Sequence, residues 1–282
     1  MKTSSIACKA SRARAESGPA MLALEVALMS DRGGRTTNED ACGHWHSQQQ
    51  LCCVLADGAG GHGGGDIASR LAVQELIGRF SNQPACHADE LDRLLRVTNE
   101  VLISHRVPGT PQQDMHSTVV CLVLDFVQHR ALWAYAGDSR MYWFRQGRLV
   151  QRTRDHSLVQ SLVDSGLLSA AELRYHPRRS ELRSALGLAP DALEVSADEG
   201  PDAVQAGDVF LLCTDGLWEY LDDELMQNTL AAAASPGVWL GELASAVRQA
   251  ASPKPSHDNF SALTVWTRPA AALSGAAAAL PS

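Results

Sequence analysis

Five separate segments of this chain turn at an aspartate flanked by small residues. They are Asn38-Glu39-Asp40, Asp57-Gly58-Ala59-Gly60-Gly61-His62, Gly137-Asp138-Ser139-Arg140, Thr214-Asp215-Gly216 and His257-Asp258-Asn259. Each adjoins a short apolar run that reads as a buried strand, so the acids sit at strand ends and project from a rigid scaffold. One Asp-Gly pair alone is an ordinary turn. Several carboxylates gathered by a fold repel one another, and only cations can offset that repulsion. The pattern therefore points to an oxygen-ligand divalent metal centre.

The chain can support such a scaffold. Its 282 residues, 45% of them hydrophobic, suffice for a sizeable core. No apolar stretch reaches the ~20 residues needed to span a bilayer. Residues 1–20 are basic (Lys2, Lys9, Arg12, Arg14) but lead into Met21 to Met29, which Glu25 interrupts; they read as a flexible arm, not a secretory signal. Seven cysteines, an odd number in mostly apolar contexts, suggest reduced thiols and a cytoplasmic location. A net charge of −8 argues against nucleic acid as the main partner.

Hydrophobic periodicity gives the elements. Leu24–Met29 and Leu51–Ala56 read as strands. Asp66 caps a helix carrying Val73, Leu76, Ile77 and Phe80, and a second helix covers Ala88–His105. Ser117–Leu124, Ala131–Ala136 and Met141–Arg145 read as a meander, with a fourth short strand near Leu149. Ser157 opens a short helix closed by Gly166, and Ser169-Ala170-Ala171-Glu172 is a capping box. Strands return at Leu193–Ser196, Val209–Cys213 and Phe260–Trp266, with helices over Asp223–Ala233 and Val238–Ala251. The expected fold is α+β, a layered sheet sandwich covered by helices. It occupies residues 21–268, followed by a disordered Ala-rich tail over 269–282.

In this order, the segments Ser30-Asp31-Arg32-Gly33 through Arg35-Thr36-Thr37-Asn38-Glu39-Asp40, Asp57 to His62, Ser117-Thr118, Gly137 to Arg140, Thr153-Arg154-Asp155-His156-Ser157, Thr214-Asp215-Gly216-Leu217-Trp218 and Asp258-Asn259 resemble the motifs of the metal-dependent (PP2C-type, PPM) protein phosphatases, and of their bacterial branch most closely. The resemblance spans roughly residues 24–267. It implies a four-layer α-β-β-α sandwich of two antiparallel sheets with the metal site at one edge. It further implies that Asp57 bridges two Mn²⁺ or Mg²⁺ ions, that Glu39 and the Gly58 carbonyl serve one of them, and that Asp215 and Asp258 serve the other. Arg35 matches the position that grips phosphate, where a planar guanidinium can bind two oxygens. The implied reaction is direct hydrolysis of a phosphoserine or phosphothreonine monoester by a metal-bridging water.

Other residues carry open alternatives. Asp66 reads as a helix N-cap rather than a ligand. Asp40 either supports the site from behind Glu39, which already fills the ligand position, or ligates an ion directly. Asp138 either binds a third ion or closes a hairpin at Gly137. Glu219 stands where some relatives carry an aspartate near that ion. His62 is either a loop residue or a proton donor, and Asn259 holds the turn that presents Asp258. Ala59 occupies a position where many animal relatives have a proposed acid histidine, and His116 one where relatives often have Gly. Cys8 and Arg14 are spaced like the nucleophile and arginine of cysteine-based phosphatases, but the unpatterned arm around them argues against that chemistry.

The leading expectation is a monomeric bacterial Ser/Thr phosphoprotein phosphatase opposing a Ser/Thr kinase, with no nucleic-acid or membrane partner. A phosphoprotein-binding module without turnover and a small-molecule phosphohydrolase are the alternatives.

Overall fold

The computed structural model describes residues 22–59, 63–254 and 256–269. The basic arm, with Cys8 and Arg14, lies outside the described residues, as do His62 and the chain from residue 270 onward.

One sheet has the order β1 (Leu22–Asp31), β11 (Phe260–Pro269), β10 (Asp208–Cys213), β7 (Arg140–Arg145), β8 (Arg148–Arg152). The other runs β2 (Asp40–His46), β3 (Gln50–Ala59), β5 (Val119–Asp125), β6 (Arg130–Ala136), β9 (Ser196–Glu199), with the short β4 (His116–Ser117) beside β3. All the pairings are antiparallel.

Alternation along β3 shows why the strands read as unbroken apolar runs. Leu51, Cys53 and Leu55 face the second sheet and pack with Phe210, Leu212 and Leu263. Cys52, Val54 and Ala56 face the other way, onto helices α1 (Gly65–Asn82) and α2 (Ala88–Ser104). Beyond the second sheet, α5 (Asp215–Trp218), α6 (Asp223–Ala232) and α7 (Pro236–Ala251) cover Tyr142, Phe144 and Leu211. Both faces of each sheet are covered, so neither needs a polar side. The four-layer sandwich is the expected one. Among the described residues no helix is long and apolar enough to cross a membrane, and Cys42, Cys52, Cys53, Cys86, Cys121 and Cys213 are all free thiols.

Three expectations need correction. β6 and β7 are not hairpin partners: β6 pairs with β5 and β9, and β7 with β8 and β10. The chain changes sheets at Gly137-Asp138-Ser139, where Gly137 adopts φ +111° and a side chain would strike Thr118 at 2.7 Å. Asp66 is not a cap; Gly64 holds that position and Asp66, in the first turn, pairs with Arg70 at 2.7 Å. The strand expected at Leu193–Ser196 begins only at Ser196. Two short helices, α3 (Leu158–Asp164) and α4 (Ala170–Leu173), carry the expected caps at Ser157 and Ser169 and add Val159 and Leu173 to the core around Tyr142 and Phe144.

The intersheet layer sets a stability test. Leu55→Ala removes a fully buried side chain and should cost ~2–5 kcal/mol in urea unfolding. Val127→Ala, at a site 66% exposed, should stay within about 0.5 kcal/mol. Equal costs at the two sites would contradict this layering.

Candidate metal centre

One end of the sandwich collects the acids. The loop after β1 carries Arg35 and Glu39, the last stretch of β3 toward Ala59 carries Asp57 and Gly58, and the sheet-changing turn holds Asp138. Asp215 opens α5, and Asp258 stands two residues ahead of β11. These residues line a cleft of about 600 Å³. The strand register explains the convergence: Asp40 pairs with Asp57 across β2 and β3, and Asp31 pairs with Phe260 across β1 and β11, so acids far apart in sequence end on one edge.

The backbone beneath them is tightly packed. A side chain on Gly58 would lie 2.1 Å from the Gly65 carbonyl oxygen, and one on Gly216 would lie 1.9 Å from that of Asn259. Glycine is therefore required where β3 meets α1 and where α5 meets β11. Asn259 does more than hold its own turn. Its Oδ1 accepts from the Glu39 N–H (2.8 Å), and its Nδ2 donates to the carbonyls of Arg32 (2.7 Å) and Thr37 (2.9 Å), bracing the whole loop that presents Arg35 and Glu39. The Asp57 carbonyl accepts from the Thr118 N–H (2.8 Å) and the Ser117 hydroxyl (2.9 Å).

Electrostatics follow from this crowding. Burial first, and then the charge of Asp40, push the Asp57 carboxyl well above its usual range. Asp215 is raised in the same way, by burial and by Asp138. Asp40 is pushed up to about 7, chiefly by burial, although Thr214 Oγ1 donates to its Oδ2 at 3.1 Å. Asp138 also rises to about 7, through burial and the charge of Asp155. Glu39 is raised by burial and by Asp66.

Among the described residues, no three His, Cys, Asp or Glu side chains stand close enough to hold an ion as they are; the carboxylates share a cleft, spread apart. The donor chemistry nonetheless fits a hard divalent ion. Every candidate donor is oxygen, several carboxyls lack a cationic partner, and Asp40 Oδ1 is buried with no hydrogen-bond partner at all. Two expected site residues are engaged elsewhere. Arg35 Nη2 pairs with Asp258 Oδ2 at 2.7 Å on the rim, both side chains about half exposed. Glu219 receives both Nε and Nη2 of Arg179, the latter at 2.9 Å.

The periodicity reading did not find Ser180 and Leu182, which line the cleft from the irregular segment after α4; no motif marked them. Nor did it find that His116 lies opposite Ala59 across β3 and β4. The His116 ring is occupied on both sides. Arg106 can only donate to Nε2 (3.2 Å), which leaves Nδ1 to donate to the Asp114 carbonyl (3.0 Å).

The sequence profile described as Protein phosphatase 2C matches residues 29–239. The serine/threonine protein phosphatase PstP of Mycobacterium tuberculosis is 35% identical over 211 residues, covering 74% of this chain but only 39% of the relative. The serine/threonine phosphatase Stp of Listeria monocytogenes is 32% identical over 214 residues, which are 73% of this chain and 83% of the relative. Among solved structures, Stp1 from Staphylococcus aureus superposes with a TM-score of 0.77 at 25% identity, over 90% of this chain and 99% of that one. The catalytic domain of PstP in complex with two manganese ions gives 0.72 at 29% identity, over 88% and 99%.

The raised carboxyls generate a pH prediction for the metal-free protein. Asp40 and Asp138 titrate near 7 when folded against an ordinary value of 3.8. The folded state therefore binds more protons than the unfolded chain across that window, and stability falls as pH rises through it. The Tm in EDTA should drop between about pH 5 and pH 8, and Asp215→Asn should raise the Tm near pH 8 by several degrees. A flat profile, or a mutant less stable than wild type, would remove the repulsion from the account.

Proposed function

The chain belongs to the protein phosphatase 2C family, and on that premise we propose that residues 21–268 form a metal-dependent protein serine/threonine phosphatase. The observation that carries the proposal is the convergence of Glu39, Asp57, Asp138, Asp215 and Asp258 from separate segments on one cleft, with Arg35 at its rim. Bound Mn²⁺ or Mg²⁺, held by Asp57, Glu39, the Gly58 carbonyl, Asp215 and Asp258, with Asp138 available to a further ion, would supply charge neutralisation, polarise the phosphoryl group and lower the pKa of water beside it. The likeness to the PstP catalytic domain, solved in complex with two manganese ions, supports this use of the site.

The chain's own residues supply binding and order. Arg35 can exchange partners at little cost, because an ion pair as exposed as Arg35–Asp258 contributes at most about 1 kcal/mol. Its planar guanidinium then receives two phosphoryl oxygens in place of the carboxylate. Asn259 holds that loop in register with Asp258, so the phosphate grip and the ligand wall move as one body. Protonation of the departing serine or threonine oxygen falls to solvent or to His62, since Ala59 has no donor and the His116 ring is already engaged. Glu219 is a ligand only if Arg179 releases it.

Phosphorylated proteins are the proposed substrates, with a Ser/Thr kinase in opposition and the cytoplasm as the location; the bacterial serine/threonine phosphatases similar to this chain support the substrate class. The test is hydrolysis of p-nitrophenyl phosphate and of a phosphothreonine peptide, with Mn²⁺ and with EDTA, by wild type and by Asp215→Asn. Mn²⁺-dependent turnover of both substrates that falls at least about 10²-fold in the mutant is expected. Turnover in EDTA would sink the metal chemistry, and turnover of small phosphates without the peptide would shift the substrate class. Arg35→Ala should chiefly raise KM for the peptide, because it removes binding shared by ground and transition states; an unchanged KM would remove Arg35 from the phosphate.

A further inference from the structure

The motif segments Gly137–Arg140 and Thr153–Ser157 have no chemical role in the reading above beyond the Asp138 carboxylate. In the structure they build one buried unit. The Arg140 and Asp155 side chains are 5% and 2% exposed. Arg140 donates Nε to Asp155 Oδ1 and Nη2 to Oδ2, both at 2.7 Å, and Nη1 to the Tyr142 hydroxyl at 3.3 Å. The guanidinium carbon lies 3.5 Å from the centroid of the Trp218 ring. The indole N–H of Trp218 in turn donates to the backbone carbonyl of Asp138 at 2.9 Å. Trp218 ends the helical turn that Asp215 begins, three residues on, so both lie on the same side of that turn.

Stability alone does not account for such a pair. A buried ion pair is often no better than apolar residues of the same volume. A bidentate fork stacked on an indole instead fixes direction and distance, which apolar packing leaves loose. On its other side the unit borders a cleft of about 470 Å³, open to solvent, that Arg140, Asp155 and Trp218 help to line.

We propose that Arg140 is a positioning residue: held by Asp155, it sets the Trp218 indole, which fixes the Asp138 backbone against the turn bearing Asp215 and so keeps two mutually repelling carboxylates at constant separation. The proposal rests on the phosphatase reading. It predicts effects on ion binding and turnover from residues that touch neither ion nor substrate.

Two conservative variants test it. Trp218→Phe keeps the stacked ring and loses only the N–H to Asp138; Arg140→Lys keeps the charge and loses the fork. Val150→Ala, on the same cleft but outside the unit and half exposed, is the control. Mn²⁺ binding is read by calorimetry, folding by thermal melt, and kcat and KM with p-nitrophenyl phosphate. Both variants should weaken Mn²⁺ binding and lower kcat about tenfold each, with KM near wild type and the control unaffected. A purely structural unit would lower the Tm while leaving the Mn²⁺ isotherm and kcat of the folded protein unchanged, and that result overturns the proposal. Should Arg140→Lys fail to fold, Trp218→Phe decides alone. Wild type that neither binds Mn²⁺ nor turns over would refute the phosphatase reading and this one with it; active wild type beside indistinguishable variants refutes only the positioning role.

Discussion

Like charges crowded into one cleft are the constraint on which this architecture depends. Beyond the cost of burial, the charges of Asp40, Asp215 and Asp138 oppose ionisation of Asp57, and that of Asp138 opposes ionisation of Asp215, so the carboxylates would part if the backbone beneath them could give way. It cannot: Gly58 lies against the Gly65 carbonyl and Gly216 against that of Asn259, at contacts too close for any side chain. The sandwich supplies the rigidity. Its interior layers are packed on both faces of both sheets, and the acids are borne on strand ends and tight turns rather than on long loops.

The two sheets contribute unequally to the cleft and are tied together at it. Asp57 lies near the end of a strand of one sheet, while Asp215 and Asp258 adjoin strands of the other. The turn through Asp138 is where the chain passes between sheets, and it is stitched on each side by Thr118–Ser139 (2.7 Å) and by the His156 N–H to the Gly137 carbonyl (2.8 Å). A site assembled across two sheets is sensitive to their relative position. The hydrogen bonds of Asn259 and Trp218 lie where that position is fixed.

Much of this was legible in the sequence because the physics was local. The run Leu51 to Ala56 had to be a strand, and Val73, Leu76 and Phe80 had to share a helix face. The acids announced themselves by their turn chemistry. What escaped was non-local. β2 was missed because its residues, Asp40 through His46, are half exposed and mix Gly, His and Trp, so no alternation stood out. The separation of β6 from β7 was missed because a short turn between apolar runs looks like a hairpin whichever sheet the second strand joins. The partners of Arg35 and Glu219, Asp258 and Arg179, lie 223 and 40 residues away, beyond any spacing argument.

The antiparallel ladder of β1 and β11 has one further consequence. It runs from Leu22 opposite Pro269 to Asp31 opposite Phe260, with the cleft at the latter end. Ten paired residues at ~3.4 Å each separate the two ends by roughly 30 Å. Leu22 and Pro269 therefore share a single corner on the side remote from the cleft, so a substitution in that rung of the ladder reaches the cleft only through the length of both strands.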